Sequence, residues 1–365
     1  MRSDSPMLDL AHRSFADPEV GRIVVLADDL TGACDAAAAF LQSARTVRVW
    51  FGNTVLFSAP ETVQAFNTNS RALAPNRAAH IVSRTTQVLA SHPDTLFFKK
   101  VDSAARGPIG AEILAAHQAL STRAILFAPA FPSAGRTVRD GILEIRSSGD
   151  ESREVNLASL FPITVRGRIG IVSSPSELLP MLRSGKRILL CDAETQDDLD
   201  RLAQLADGLP RILYVGSAGL AQAFASLRDV LPPPALVPPV ARTLMIVGSS
   251  HPATQVQLEA LNPDSFPGAR ILHIRTAVAA AARIRHAFRV MKPEALVLTG
   301  GETALLAVLA LEAHSFILQG ELSPGIPWGL VQGGLAHGCV VVTKSGGFGT
   351  ASAFNDILTA LHGSA

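Results

Sequence analysis

The stretch IVVLADDLTGACDA, residues 23–36, runs from an apolar strand into two adjacent acids, then into Thr31-Gly32 and an alanine-rich helix. The same order of strand, small or polar cluster and helix recurs along the chain. It is read in RIVVLADDLTG (22–32), TLFFKKVDSAARG (95–107), AILFAPAFPSAGR (124–136) and RILLCDAETQDD (187–198). RILYVGSAGLA (211–221), TLMIVGSSHPAT (243–254), ALVLTGGETA (295–304) and CVVVTKSGGFG (339–349) continue the series. Near-continuous apolar runs of this length suit strands buried on both faces, as in a parallel sheet covered by helices. The alternation predicts an α/β fold. In open α/β sheets ligands bind beyond the carboxyl ends of the strands, so the polar clusters fall on the ligand-binding edge.

At 365 residues the chain has room for two domains. LPPPALVPPV (231–240) is the clearest break, because a run of prolines neither continues a helix nor sits in a central strand. This predicts a larger domain over 1–235, a smaller one over 241–365 and a stiff linker over 231–240. RSSGDESREVN (146–156) reads as an exposed loop. No internal repeat of fixed period is found.

The apolar share of 48% supplies ample core, and the formal charge of +1 gives no electrostatic footprint for nucleic acid or an anionic membrane. Cys34, Cys191 and Cys339 are dispersed, which argues for a reducing compartment and against a zinc site. The first twenty residues carry charge and no apolar core of a signal peptide, and no run approaches the ~20 apolar residues of a membrane span. The expectation is a cytoplasmic protein with small-molecule partners, and a homo-oligomer is left open.

Three turns of the C-terminal part favour anions. TGGETA (299–304) and KSGGFG (344–349) put paired glycines between a strand and a helix, where bare amides and a helix N-terminus attract negative charge. VGSSHPAT (247–254) adds the hydroxyls of Ser249 and Ser250, and Lys344 adds a point charge. Each turn alone is an ordinary cap; three on one sheet edge suggest a nucleoside triphosphate. Neither GxxxxGK[ST] nor GxGxxG occurs, so the P-loop and Rossmann fingerprints do not apply.

The N-terminal part holds the charged clusters. KKVDSAARG (99–107) gathers Lys99, Lys100, Asp102, Ser103 and Arg106 after a strand, NTNSR (67–71) ends another strand with Arg71, and APAFPSAGRT (128–137) adds Arg136. Guanidinium groups bind a carboxylate bidentately, while Asp and Ser take hydroxyls, so the set suits a small polyhydroxy acid. In ADDLTGA, Asp29 or Thr31 caps the helix, which needs only one acid. Two successive acids repel, so the second wants a partner of its own: a substrate hydroxyl or Mg²⁺. A dehalogenase-type phosphatase requires DxDx[TV], and Leu30 stands where its second Asp belongs.

ADDLTGACD, NTNSR, FFKKVDSAARGPIGAE, FAPAFPSAGRTVRDG, CDAETQDDL, VGSAGLA, VGSSHPAT, LTGGETA and VVTKSGGFG span residues 27–349. In this order they resemble the four-carbon acid sugar kinases, which phosphorylate threonate, erythronate or 3-oxo-tetronate with ATP. The resemblance implies two α/β domains, one for the sugar acid and one for the nucleotide, with the active site in the cleft between them. It implies that Asp28, Asp29, Arg71, Lys100, Val101, Asp102 and Ser103 face the sugar acid. The mechanism expected on that footing makes Asp28 or Asp29 the base that takes the acceptor proton, with Arg71, Lys100 and Arg106 anchoring the carboxylate. It implies that Ser249, Gly300, Gly301, Glu302, Thr303, Lys344, Gly346 and Gly347 contact ATP, with Mg²⁺ as the accompanying ion. Two departures stand out. The family's DSTLRG is here Asp102-Ser103-Ala104-Ala105-Arg106-Gly107, and the segment ILEIRSSGDESREVNLASLFP (142–162) is compressed. A non-catalytic sugar-acid or nucleotide sensor on the same fold is the alternative reading.

Overall fold

The structure is a computed structural model that describes residues 22–44, 46–51, 63–90, 95–146, 152–228, 236–274 and 279–363. In chain order its first strands are β1 (Arg22–Ala27), β2 (Val47–Phe51), β3 (Val63–Asn67), β4 (Thr95–Lys100) and β5 (Ala124–Ala128). Next come β6 (Arg136–Arg139), β7 (Ile142–Arg146), β8 (Ser152–Asn156), β9 (Ile169–Val172), β10 (Ile188–Cys191) and β11 (Ile212–Gly216). The last are β12 (Thr243–Val247), β13 (Ala269–His273), β14 (Ala295–Thr299), β15 (Ser315–Ser323), β16 (Ile326–Gln332) and β17 (Val340–Lys344). Every recurrent motif of the sequence is led by one of these strands.

The chain forms two compact units, one of residues 1–26 with 70–230 and one of residues 27–69 with 231–365. In the first, strand order is β1-β4-β11-β5-β10-β9. The pairs from β4 to β9 are all parallel. Lys100, Gly216 and Ala128 end their strands in register, so the turns that follow leave one edge together. Gly216 is required there: a Cβ would stand 2.6 Å from the Ala128 carbonyl oxygen.

In the second unit the order is β13-β12-β14-β17-β16-β15-β2-β3. The run β13-β12-β14-β17 is parallel, and Val247, Thr299 and Lys344 end theirs in register. Strands β12, β14 and β17 are buried along their whole length, which their apolar sequences TLMIV, ALVLT and VVVTK allow. Met245, Val297 and Val342 pack with Trp328, Phe354, Ile357 and Leu361. Burying each such side chain is worth about 1.5–3 kcal/mol.

Three expectations change. Residues 27–69 group with the C-terminal unit, because β2 pairs antiparallel with β15 and Phe51 packs edge-on against Phe316 at 4.4 Å. The second unit's strands are largely parallel as expected, with β16 running antiparallel to both β15 and β17. Within the expected exposed loop 146–156, Ser152–Asn156 is a strand closing a 3-stranded antiparallel sheet, β6-β7-β8; 147–151 lie outside the described residues. Of the proline-rich linker, 231–235 lie outside them too. Val237 and Val240 pack on the second unit's core, and the Val240 amide donates to the Leu361 carbonyl at 2.8 Å. Val237 and Val240, the valines flanking Pro238-Pro239, are what let this part of the stretch dock rather than stand clear.

Candidate active site

In the first unit the turn after β4 is organised by Asp102. Its Oδ2 accepts from the amides of Ala104 (3.2 Å) and Arg106 (3.1 Å), and the Arg106 guanidinium forks onto both oxygens, Nε at 2.8 Å and Nη2 at 2.7 Å. Arg71 adds Nη1 at 3.5 Å. Burial by itself pushes the Asp102 carboxyl up. The Arg106 hydrogen bond and the charges of Arg71, Arg106 and Lys100 outweigh burial and hold it well below the usual carboxylate range. Ala105 (φ 55°) and Gly107 (φ +90°) carry the left-handed backbone that bends the turn back. Gly107 also lets Arg71 close in, because a Cβ there would stand 3.0 Å from the Arg71 carbonyl oxygen and 3.2 Å from its Cγ.

Successive strand residues point to opposite faces, and the two lysines of β4 divide accordingly. Lys99 Nζ ion-pairs with Glu112 at 2.8 Å, both side chains only 1% exposed, so this charge is committed to the core. Lys100 Nζ donates to the Val101 carbonyl at 2.9 Å, and Val101 and Ser103 are buried beside Asp102. The first unit therefore assembles Arg71, Lys100, Val101, Asp102, Ser103 and Arg106 at one sheet edge.

In the second unit Asp29 caps the helix Leu30–Ala38: its Oδ1 accepts from the Gly32 amide at 2.8 Å. Its Oδ2 accepts from Thr31 Oγ1 at 3.1 Å, and Thr31 accepts from Ser345 Oγ at 2.9 Å. A Cβ at Gly301 would overlap Asp29 Oδ2 and lie 3.1 Å from its Cγ. The acid pair of the opening motif thus stands at the glycine turn after β14, and Asp28 is buried next to it in the chain.

The other turns close around the same edge. Gly300 (φ +90°) caps the helix Gly301–Ala310 and brings its backbone against Ser249. Gly346 admits Ser249 Oγ where a Cβ would collide with it, and Gly347 faces His251 Nε2. Thr303 packs its hydroxyl on Gly248, whereas Glu302 is exposed in the first turn of its helix. His251 Nδ1 accepts from the Ala253 amide at 3.2 Å, which leaves the proton of a neutral ring on Nε2, the nitrogen facing Gly347. His251 and Ser345 sit inside motifs legible in the sequence, yet nothing local marked them, and Thr31 read only as a possible cap, because each acquires its neighbour from another strand end.

Lys344 differs from its expected place as a point charge for phosphate. It is fully buried, and its ammonium donates to the carbonyls of Ser345 (3.1 Å), Gly346 (3.3 Å) and Phe348 (3.1 Å) while lying 5.3 Å from the Phe354 ring centroid. It holds the glycine loop from inside. Burial pushes it down from the usual 10.5 to about 8. A neutral amine has two N–H donors for three carbonyls. Deprotonation therefore loosens the loop, which is expected to be held most tightly below pH 8 and to slacken as pH rises through it. Amide exchange of residues 346–348 on both sides of pH 8 checks this; a Lys344→Met variant should lack the step.

Among the described residues no group of three or more His, Cys, Asp or Glu could hold a metal ion, and no helix is long and apolar enough to cross a membrane.

Residues 23–167 and 170–224 match the family described as the sugar-binding N-terminal domain, and residues 270–354 match the nucleotide-binding C-terminal domain. The chain is 30% identical to the D-threonate kinase of Bordetella bronchiseptica over 90% of its own length and 94% of the relative's. It is 26% identical to the D-threonate kinase of Salmonella typhimurium over 92% and 97% of the two chains. A crystal structure from Haemophilus influenzae superposes with a TM-score of 0.66 at 20% identity, covering 93% of this chain and 100% of that one, and shares the fold. With both domain families matched in order and similarity running nearly end to end, the chain belongs to the four-carbon acid sugar kinase family.

Proposed function

We propose that this protein is an ATP-dependent kinase acting on the terminal hydroxyl of a four-carbon sugar acid. The observation that carries the reading is Asp29, a carboxylate positioned against the glycine turn best suited to phosphate. A base there takes the acceptor proton next to the group being transferred. Such transfer depends on positioning and charge stabilisation more than on covalent chemistry.

In this reading the amides around Gly300, Gly301, Gly346 and Gly347, with Ser249, hold the phosphates. Mg²⁺ enters as part of the nucleotide substrate, as is usual where an ion keeps several waters and the phosphates as ligands. Arg71, Lys100, Asp102 and Ser103 hold the sugar acid, and Arg106 keeps Asp102 in place. Transfer requires the two ligands to meet, and that meeting is part of the proposal.

The test is ADP release with threonate, erythronate and 3-oxo-tetronate. Turnover on one or more of these acids is expected; nucleotide binding with no turnover on any would instead support a sensor. Arg71→Ala should raise KM for the acid roughly 10–100-fold, the range for a lost charge-assisted hydrogen bond, with KM for ATP little changed. Equal weakening of both substrates would remove Arg71 from the acid site.

A further inference from the structure

The loop between β5 and β6 returns Arg136 to the edge that carries Asp102. Ala128 ends β5 in register with Gly216, and Gly216 with Lys100, so this loop and the Asp102 turn leave the sheet from strands with only β11 between them. The loop is pinned. The Phe131 amide donates to the Arg136 carbonyl at 2.8 Å and the Arg136 amide to Phe131 at 3.1 Å, while Ser217 Oγ holds the Ala130 carbonyl at 2.7 Å. Gly135 is left-handed (φ 73°) and fixes the bend that aims the next residue. Arg136 is therefore presented from a rigid base.

The cations of this cluster are not equivalent. Arg106 spends its fork on Asp102, Lys100 donates to a backbone carbonyl, and Lys99 is buried against Glu112. Arg136 makes no ion pair among the described residues, and its buried Nε has no hydrogen-bond partner. It lies near enough to Asp102 and Arg106 for both charges to act on it; burial and Arg106 push its acidity one way and Asp102 the other. A buried guanidinium N–H without an acceptor is costly unless a ligand supplies one. Arg71, Lys100, Arg106 and Arg136 thus gather about one carboxylate, Asp102, which Arg106 forks and Arg71 reaches at 3.5 Å.

We propose that Arg136, together with Arg71, binds the carboxylate of the sugar acid and makes the site select acids, whereas Arg106 serves only to position Asp102. This rests on the sugar-acid reading of the site and adds which residue recognises the acid group. Arg136 is a planar, permanently charged donor with its Nε unclaimed, which matches two carboxylate oxygens.

The test is calorimetric titration of the full chain with threonate or erythronate, and separately with MgATP. Arg136→Gln should lower affinity for the acid roughly 10–100-fold while leaving nucleotide affinity and melting temperature nearly unchanged. Arg136→Lys keeps the charge without the fork and should recover part of the loss. A fall of less than threefold in Arg136→Gln, or equal losses of acid and nucleotide affinity, would overturn the assignment. Should Arg136→Gln not fold, Arg136→Lys decides alone: acid affinity equal to the parent's overturns the proposal, and a selective loss upholds it. Arg136-dependent acid binding without any ADP release would sink the kinase reading and leave this one standing. A parent protein that binds no four-carbon acid would end both.

Discussion

Replacing Asp29 by Asn is expected to leave the melting temperature nearly unchanged and to lower kcat by at least roughly 10²-fold. The two halves of that expectation come from different atoms of one side chain. As a cap, Asp29 offers Oδ1 to the Gly32 amide. Asn caps helices about as well as Asp, so the amide variant keeps that bond. As a base, the residue must accept a proton, which an amide does not do, and general-base assistance contributes about 10²–10⁴-fold. Asp28→Asn should be made beside it, since the two acids are adjacent and both buried. Calorimetry checks folding and nucleotide affinity, and a coupled ADP assay checks turnover. If both amides turn over the true substrate like the parent, the acids are structural only and the proposed base is wrong.

Gly301→Ala should be nearly as damaging, for a steric reason. Gly301 opens its helix with an ordinary backbone conformation, so alanine there carries no conformational penalty and even favours the helix. The new Cβ, however, meets the Asp29 carboxylate, which the Gly32 amide and Thr31 hydroxyl hold in place. The carboxylate has to move or the turn has to open. A misplacement of about 1 Å costs on the order of 10²-fold in rate. A folded variant with kcat reduced by that order is expected. Restoration by a second change, Thr31→Ser, which trims the side chain beside Asp29, would tie the loss to the position of the carboxylate. Unchanged kcat in Gly301→Ala would detach the glycine turn from the reaction.

The sequence alone determined the class of fold and the edge on which function sits. Runs such as TLMIV, ALVLT and VVVTK read as doubly buried strands because apolar residues fill both alternating faces of them, and the polar clusters follow every such run. It also marked Asp28-Asp29, the Asp102 turn and the paired glycines as chemical, since each costs stability without a compensating local role. What it could not determine is company. Asp29 joins Gly301 and Ser345, residues 272 and 316 positions away, because β2, β15 and β17 fold the opening helix onto the C-terminal unit. Lys344 and Lys99 read as free cations, and the structure turns both inward, one onto loop carbonyls and one onto Glu112. Arg106 and Arg136 looked alike in the sequence, and only the folded turn shows one occupied and the other open. Local composition specifies whether a residue is charged or apolar. Which partner satisfies that charge is set by strand order and register, and these are fixed only when distant segments bury their apolar faces together.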